Sequence, residues 1–453
     1  MRIFPFNVNT FFVRFLIPAC IFVSLFFFLM MKLLTTISRA FVGFLFIFSG
    51  LIKANDPLGF SYKLSEYFEK FKEEWSVMGW LFDFMHEWAL PLAMFIVVLE
   101  IVLGVAVLTG YKKKVTNLLL LLLIVFFTAL TFVSAQFEWV RSCGCFGDAI
   151  PLTPWQSFIK DLVLLGLILV IMAGQKHIQE GEIDKPLYIL FALCLAFLVW
   201  LSSKLNWYVP ALYPAVIVLL YVVLNKSIKD KSALASTAIG LFSSCLFTYH
   251  AYAHLPFKDF RAYAIGKNIP EQMVAVPSIL KYTYNLKDKA SGEIIHVESF
   301  PENYELKYEY LNFDTTVIKA GIPAKIHDFV LMNADKSDYT GDVLENPDLN
   351  FLLVAYDLEN TNLDVQSKIK SFSEQCAQNK LLFKGVTAST REQVEQLEKK
   401  YGQNFEYYFC DAVTLKTIIR SNPGLVAIKN GTIVGQWHYN DFTGFEEAMQ
   451  VGR

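Results

Sequence analysis

Through about residue 250 the chain alternates long apolar runs with short polar loops. Beyond that point it changes to short alternating segments and amphipathic stretches rich in Lys, Glu, Asp and Asn. A hydrocarbon core about 30 Å thick takes roughly 20 apolar residues as a helix. Runs near residues 36–53, 88–109, 115–135, 156–174, 187–203, 207–225 and 233–250 meet that requirement and predict seven spans. An eighth run, 11–31, is open to three readings: a true span, an uncleaved signal, or sequence upstream of a start at Met31. The pattern predicts five blocks: the ambiguous segment 1–31, a helical block 32–175, three further helices over 176–250, a small β-rich connection 251–325, and an α/β region 326–453.

Composition agrees with a membrane protein. Of 453 residues 54% are hydrophobic and 41 are Phe, and the mean hydropathy is +0.39. The net charge of −2 offers no basic surface for nucleic acid. The expected partners are the lipid bilayer and a client protein. Sidedness follows from Lys and Arg, which short loops retain on the cytoplasmic side. The run Tyr111–Lys114 is the strongest marker; Lys32, Arg39, Lys176, Lys185, Lys226, Lys229 and Lys231 agree with it. The segment 54–87, the loop "RSCGCFGDAI" (141–150) and everything after residue 250 are then expected outside, which in a bacterial inner membrane is the periplasm.

Within the first span and its exit, "SRAFVGFLFIFSGLIKANDP" places Arg39 before the apolar run, Gly43 and Gly50 inside it, and Lys53, Asp56 and Pro57 at its end. The second span carries Glu100 and Gly104. A carboxylate in a span is costly unless it meets a polar partner or a cavity, so Glu100 is the leading intramembrane candidate, with structural pairing to Lys or Arg as the plain alternative. The pattern R-x-x-x-G-x-x-F-x-x-S-G-x-x-K-x-x-D-P followed by E-x-x-x-G resembles the DoxX and MauE family of four-helix membrane proteins over residues 35 to about 175. The loop "CGCFG" running into "LTPWQSFIKDLVLLGLIL" is similar to the MauE branch; Lys160 and Asp161 depart from its pattern, which often has an uncharged Asn there. The resemblance implies an inner-membrane four-helix bundle tied to periplasmic redox chemistry, methylamine utilisation and maturation of a disulfide-rich dehydrogenase subunit.

Cys143 and Cys145, split by Gly144, can close a small strained disulfide ring, and strain raises the reduction potential so that the pair oxidises a partner dithiol. Arg141 favours the thiolate and Asp148 opposes it. Structural pairing and metal ligation stand beside the redox reading; no His lies in the loop, so no metal is assigned. His86 reads as interfacial, as do Trp75, Trp80, Trp88, Trp139 and Trp155. Cys20, Cys194 and Cys245 lie in apolar runs and read as buried thiols. No cofactor motif is present, and a membrane quinone enters as an electron acceptor without a signature of its own.

In the last block, "FLLVAYDL" (351–358), "LLFKGVTA" (381–388) and "FEYYFCD" (405–411) predict strands, with helices over 364–379, 391–402 and 413–420. "SNPGLVAIKNGTIVGQWH" predicts a closing hairpin, giving a parallel core with an antiparallel edge. This region resembles the thioredoxin-like fold of the membrane-tethered TlpA kind, with Pro423 after Asn422 at the position of that fold's cis proline. Where the family has C-x-x-C, this chain has "ENTNLD", with Thr361 and Asp364 near the cysteine positions. Dithiol exchange is therefore not expected there, and Asn422, Pro423, Thr361 and Asp364 become a client-binding edge. Cys376 and Cys410 are expected at opposite ends of the sheet, as structural thiols. Three functions remain: a thiol-redox membrane protein acting through Cys143 and Cys145 with Glu100, Arg39, Lys53, Asp56 and Asp148 in support; a non-catalytic assembly scaffold; and a subunit of a quinone-linked respiratory complex.

Overall fold

The computed structural model describes residues 17–137, 139, 146–179 and 185–451. The chain divides into two compact units, Met1–Phe260 and Arg261–Arg453.

The first unit is helical. Helix α1 (Ile17–Ala54) runs for 38 residues, about 57 Å at the usual rise. It stops because Pro57 follows within three residues, and the Asp56 carboxylate accepts from Gly59 N–H at 2.9 Å to start helix α2 (Pro57–Glu74). Helix α2 is amphipathic: Phe60, Leu64, Tyr67 and Phe68 are buried while Glu69, Lys72, Glu73 and Glu74 are exposed. A short helix α3 (Gly79–Glu87) follows. Helix α4 (Ala89–Thr109) ends at Gly110, which adopts φ +74°. Then come α5 (Lys113–Phe137), α6 (Pro154–Ala173), α7 (Lys185–Lys204), α8 (Val209–Ser227) and α9 (Ser232–Ala253). A capping box of Thr153 and Gln156 with Pro154 at the first turn fixes the start of α6.

Helices α1, α4, α5 and α6 pack together, with α2 laid against α4; α7, α8 and α9 pack onto this group through α1 and α4. Helices α1 and α4 approach closely where glycines face each other. A Cβ on Gly104 would lie 2.8 Å from Gly43 O and 3.0 Å from Ile47 N.

Seven helices among the described residues are long and apolar enough to cross a membrane: Leu25–Ala54 within α1, and α4 to α9. The outward side chains, such as Leu118, Leu122, Ile189, Leu193, Leu212 and Leu219, are exposed apolar groups, as a lipid-facing surface requires. Of the run 11–31, the described residues from Ile17 onward continue without a break into α1. One expectation is corrected. Cys245, expected to be buried, is exposed on the surface of α9.

The second unit holds two sheets. A three-stranded antiparallel sheet, order β2-β1-β3, is built from β1 (Ile279–Asp288), β2 (Ile294–Val297) and β3 (Tyr308–Lys319). A five-stranded sheet has order β6-β5-β4-β7-β8, from β4 (Leu349–Val354), β5 (Phe383–Thr387), β6 (Tyr407–Phe409), β7 (Gly424–Lys429) and β8 (Thr432–His438). Strands β4, β5 and β6 are parallel, and β7 and β8 are antiparallel additions. Helices α10 (Gln366–Gln378), α11 (Arg391–Tyr401) and α12 (Ala412–Ile418) make the crossovers. Asn430 and Gly431 both take positive φ, +48° and +71°, which is the twist a two-residue hairpin needs. The unit is thus an α/β region with the parallel core and antiparallel edge that the alternation of strands and helices predicts.

Cys376 lies inside the core with Phe351, Phe372 and Phe383. Burial pushes its thiol up to about 12, and that of Cys410 up to about 11. Both are free. On the order of a thousandfold fewer Cys376 thiolates then exist than for an ordinary thiol. Iodoacetamide at pH 8, followed by peptide mass spectrometry, should leave Cys376 unmodified in the folded protein and modify it in denaturant. Equal labelling in both states would contradict its place in the core.

Candidate functional site

The polar interior of the first unit is assembled from helix ends and one mid-span carboxylate. Lys53 stands in the last turn of α1, one turn after Ser49, so both project to the same side. Glu100 lies midway along α4. Lys53 Nζ donates to Glu100 Oε2 at 2.7 Å, to Oε1 at 2.9 Å and to Ser49 Oγ at 2.8 Å. The two side chains are 3% and 4% exposed, so the pair is fully desolvated. Its ammonium also lies 4.7 Å from the Phe127 ring centre.

A second ion pair lies on α6. Lys160 Nζ donates to the buried Asp161 carboxylate, and Thr131 Oγ1 of α5 lies 3.1 Å from Asp161 Oδ2. Phe146 closes the arrangement: it is buried, packs edge-on against Phe48 at 5.7 Å, and presents its ring to Lys160 Nζ at 5.4 Å. Lys53, Glu100, Lys160, Asp161, Ser49 and Phe146 line one chamber of about 10 Å³, room for one water. A second chamber, also about 10 Å³, touches Lys53, Lys63, Tyr67 and Thr131. Tyr67 Oη meets Ser134 Oγ at 2.5 Å.

The other candidates separate from this centre. Arg39 reaches the far end of α4, where Nε donates to Val107 O and Nη2 to Leu108 O, each at 3.1 Å; it satisfies carbonyls that the helix end leaves open. Asp56 is the N-cap of α2. Asp148 is exposed in the turn after Phe146. His86 is exposed, 3.6 Å from Glu69. Cys143, Cys145 and Arg141 lie outside the described residues. Asp161 was open to the same sequence argument as Glu100, a carboxylate inside an apolar run; its neighbour Lys160 masks that signal by making the step read as a local neutral pair.

In the second unit the loop between β4 and α10 meets the turn before β7. Asn362 N–H donates to Asn422 O at 2.9 Å, and Asn422 Nδ2 donates to Asp357 O at 2.7 Å. The Asn422–Pro423 peptide is cis. Thr361 and Asn422 are 7% and 9% exposed. Among the described residues Thr361 Oγ1 and Asn422 Oδ1 are buried atoms with no hydrogen-bond partner. Asp364 is exposed. The structure therefore brings Thr361, Asn422 and Pro423 into adjoining loops, with one hydroxyl and one amide oxygen left unsatisfied.

Seven apolar helices carrying buried ion pairs, followed by an α/β unit, make this a multi-pass membrane protein. Its residues 31–174 match the family model described as Methylamine utilisation protein MauE, so that part of the chain is MauE-like. No curated protein and no solved structure matches the chain.

Proposed function

We propose that this is an inner-membrane thiol-redox or maturation protein, working through Cys143 and Cys145 on a disulfide-bearing client in the periplasm. The observation that carries the reading is the MauE match over the segment holding the Cys-Gly-Cys loop. It is supported by Phe146, the residue bonded to Cys145, forming a wall of the chamber between two buried ion pairs. In the reaction two client thiols give their two electrons to the Cys143–Cys145 disulfide, and the client leaves with a new disulfide. The two electrons then pass with two protons to a membrane quinone, giving the quinol. The family description points to methylamine utilisation as the setting of the client.

The second unit, on this reading, is a thioredoxin-like module that binds and does not exchange electrons. Its strand order and the segment "ENTNLD" in place of two cysteines support that division of labour. The exposed Asp364, beside the buried Thr361 and Asn422, marks the edge at which an extended peptide would dock. The non-catalytic scaffold is the second reading. It is favoured by the peptide-binding edge alone and needs no chemistry at the loop.

Thiol trapping in intact cells separates the two. Cys143→Ser or Cys145→Ser is expected to accumulate a mixed disulfide with a client in one of the two variants. Absence of any adduct from both, at normal protein levels, would leave the scaffold. An impermeant thiol reagent should reach Cys143 from the outer face after reduction; labelling from the cytoplasmic side alone would overturn the orientation.

A further inference from the structure

The three-stranded sheet of the second unit has two unlike faces. Its register places Thr283, Asn285, His296, Asn312 and Asp314 on one of them. There Asn285 Nδ2 donates to Asn312 Oδ1 at 2.6 Å and to Asp314 Oδ2 at 2.9 Å, and Asn285 Oδ1 meets His296 Nδ1. Lys281 and Glu298 pair on the same side. The opposite face carries Leu280, Tyr282, Tyr284 and Leu286 of β1 against Phe313 and Val317 of β3. One end of it is covered by the chain's own return, where Phe300 packs on Tyr284 at 4.4 Å and Leu286 is fully buried. The other end is bare: Leu280, Tyr282, Phe313 and Val317 are between 38% and 57% exposed. No residue of the three strands joins the core of the five-stranded sheet. A sheet with one polar and one apolar face is half of a two-layer core, and among the described residues no second layer lies over the bare end.

The cover has to be apolar and as broad as a sheet. Across residues 279–319 five lysines stand against seven Asp and Glu, so an anionic lipid surface repels this region. An extended peptide adds to a strand edge and leaves the face as bare as before. A second copy of the chain meets both requirements. The bare end presents no charged side chain, since Lys281, Asp314 and Glu298 lie on the polar face, and two copies can face each other without like-charge repulsion. With strands ~4.8 Å apart and ~3.3 Å per residue, one face spans roughly 500 Å², and stacking two removes about 1,000 Å² from water, the lower bound for a specific interface. Copies held in one bilayer raise each other's effective concentration, which makes a contact of that size sufficient. We infer that two copies of this chain associate through these faces, the β2-β1-β3 sheets stacking as the two layers of a β-sandwich about a two-fold axis. Tyr282 and Phe313, with ring centres 5.7 Å apart, form the centre of the contact, and Leu280 and Val317 flank it. The contact uses neither thiol chemistry nor a client, so it stands independently of the redox reading.

The test places the photo-crosslinker p-benzoylphenylalanine at position 313 of the full chain, in cells that carry two differently tagged copies. After irradiation, purification on one tag should bring down a covalent adduct bearing the second tag, and mass spectrometry should find the link within residues 279–319 of the other copy. An adduct to lipid alone would give the face to the bilayer, and one to a different protein would give it to a client; either overturns the proposal. Charge supplies the second arm. Tyr282→Lys/Phe313→Lys and Tyr282→Glu/Phe313→Glu should each lose co-purification of a like copy by about tenfold or more, and a mixture of the two should regain it, which also shows that both fold. Thr283→Lys, on the polar face, should pair as the wild type does. Self-association of either charged variant at the wild-type level would overturn the stacking.

Discussion

Glu100→Leu should destabilise the membrane unit by about 3–5 kcal/mol, because it leaves the Lys53 ammonium buried without its counter-ion. The Lys53 side chain is 3% exposed, and among the described residues it retains its hydrogen bond to Ser49 Oγ. Adding Lys53→Met to the same chain should recover most of that loss, since an apolar pair of similar volume removes both the desolvation cost and the attraction. The single Lys53→Met variant should be as damaged as Glu100→Leu, now with an orphaned carboxylate. Thermal unfolding in detergent followed by tryptophan fluorescence gives all four corners of the cycle. A loss in the double variant equal to the sum of the two single losses would mean that the ion pair does not form.

The spans were legible because apolar runs of the right length are a direct physical requirement of the bilayer. The continuity of α1 was not. Lys32, Thr35, Thr36, Ser38 and Arg39 lower the hydropathy between residues 31 and 39. In the helix Thr35 and Thr36 donate back to Met31 O and Lys32 O at 2.7 and 2.8 Å, so their polar atoms are satisfied without breaking the backbone ladder. The partner of Glu100 was equally hidden. Arg39 and Lys53 both flank the first apolar run, and the register of α1 against α4 decides between them: Lys53 meets the carboxylate, and Arg39 falls level with Val107 and Leu108. In the five-stranded sheet each strand is short and bounded by turn residues, so its parallel core and antiparallel edge follow from alternation and connection length. The unsatisfied atoms of Thr361 and Asn422 emerge only after two loops distant in sequence are brought together.

The same register depends on backbone contact at the glycines, and Gly104→Val should cost on the order of 3 kcal/mol or more. A Cβ there meets the carbonyl of Gly43 at 2.8 Å and the amide nitrogen of Ile47 at 3.0 Å, backbone atoms that no side-chain rotation can clear. Gly50→Val makes a useful comparison. Its nearest obstacle is the side-chain carbon Ile101 Cγ1 at 2.5 Å, with backbone atoms at 3.2 Å and beyond, so a rotamer change relieves part of the clash. Without a hydrophobic drive between helices in lipid, close packing of this kind is a main source of their association. Separating α1 from α4 by even a fraction of an ångström lengthens the Lys53–Glu100 contact, so Gly104→Val should also erase the coupling energy of the Lys53/Glu100 cycle. A Gly104→Val protein that unfolds at the wild-type temperature, with that coupling intact, would show that the two helices do not rest on each other at this point.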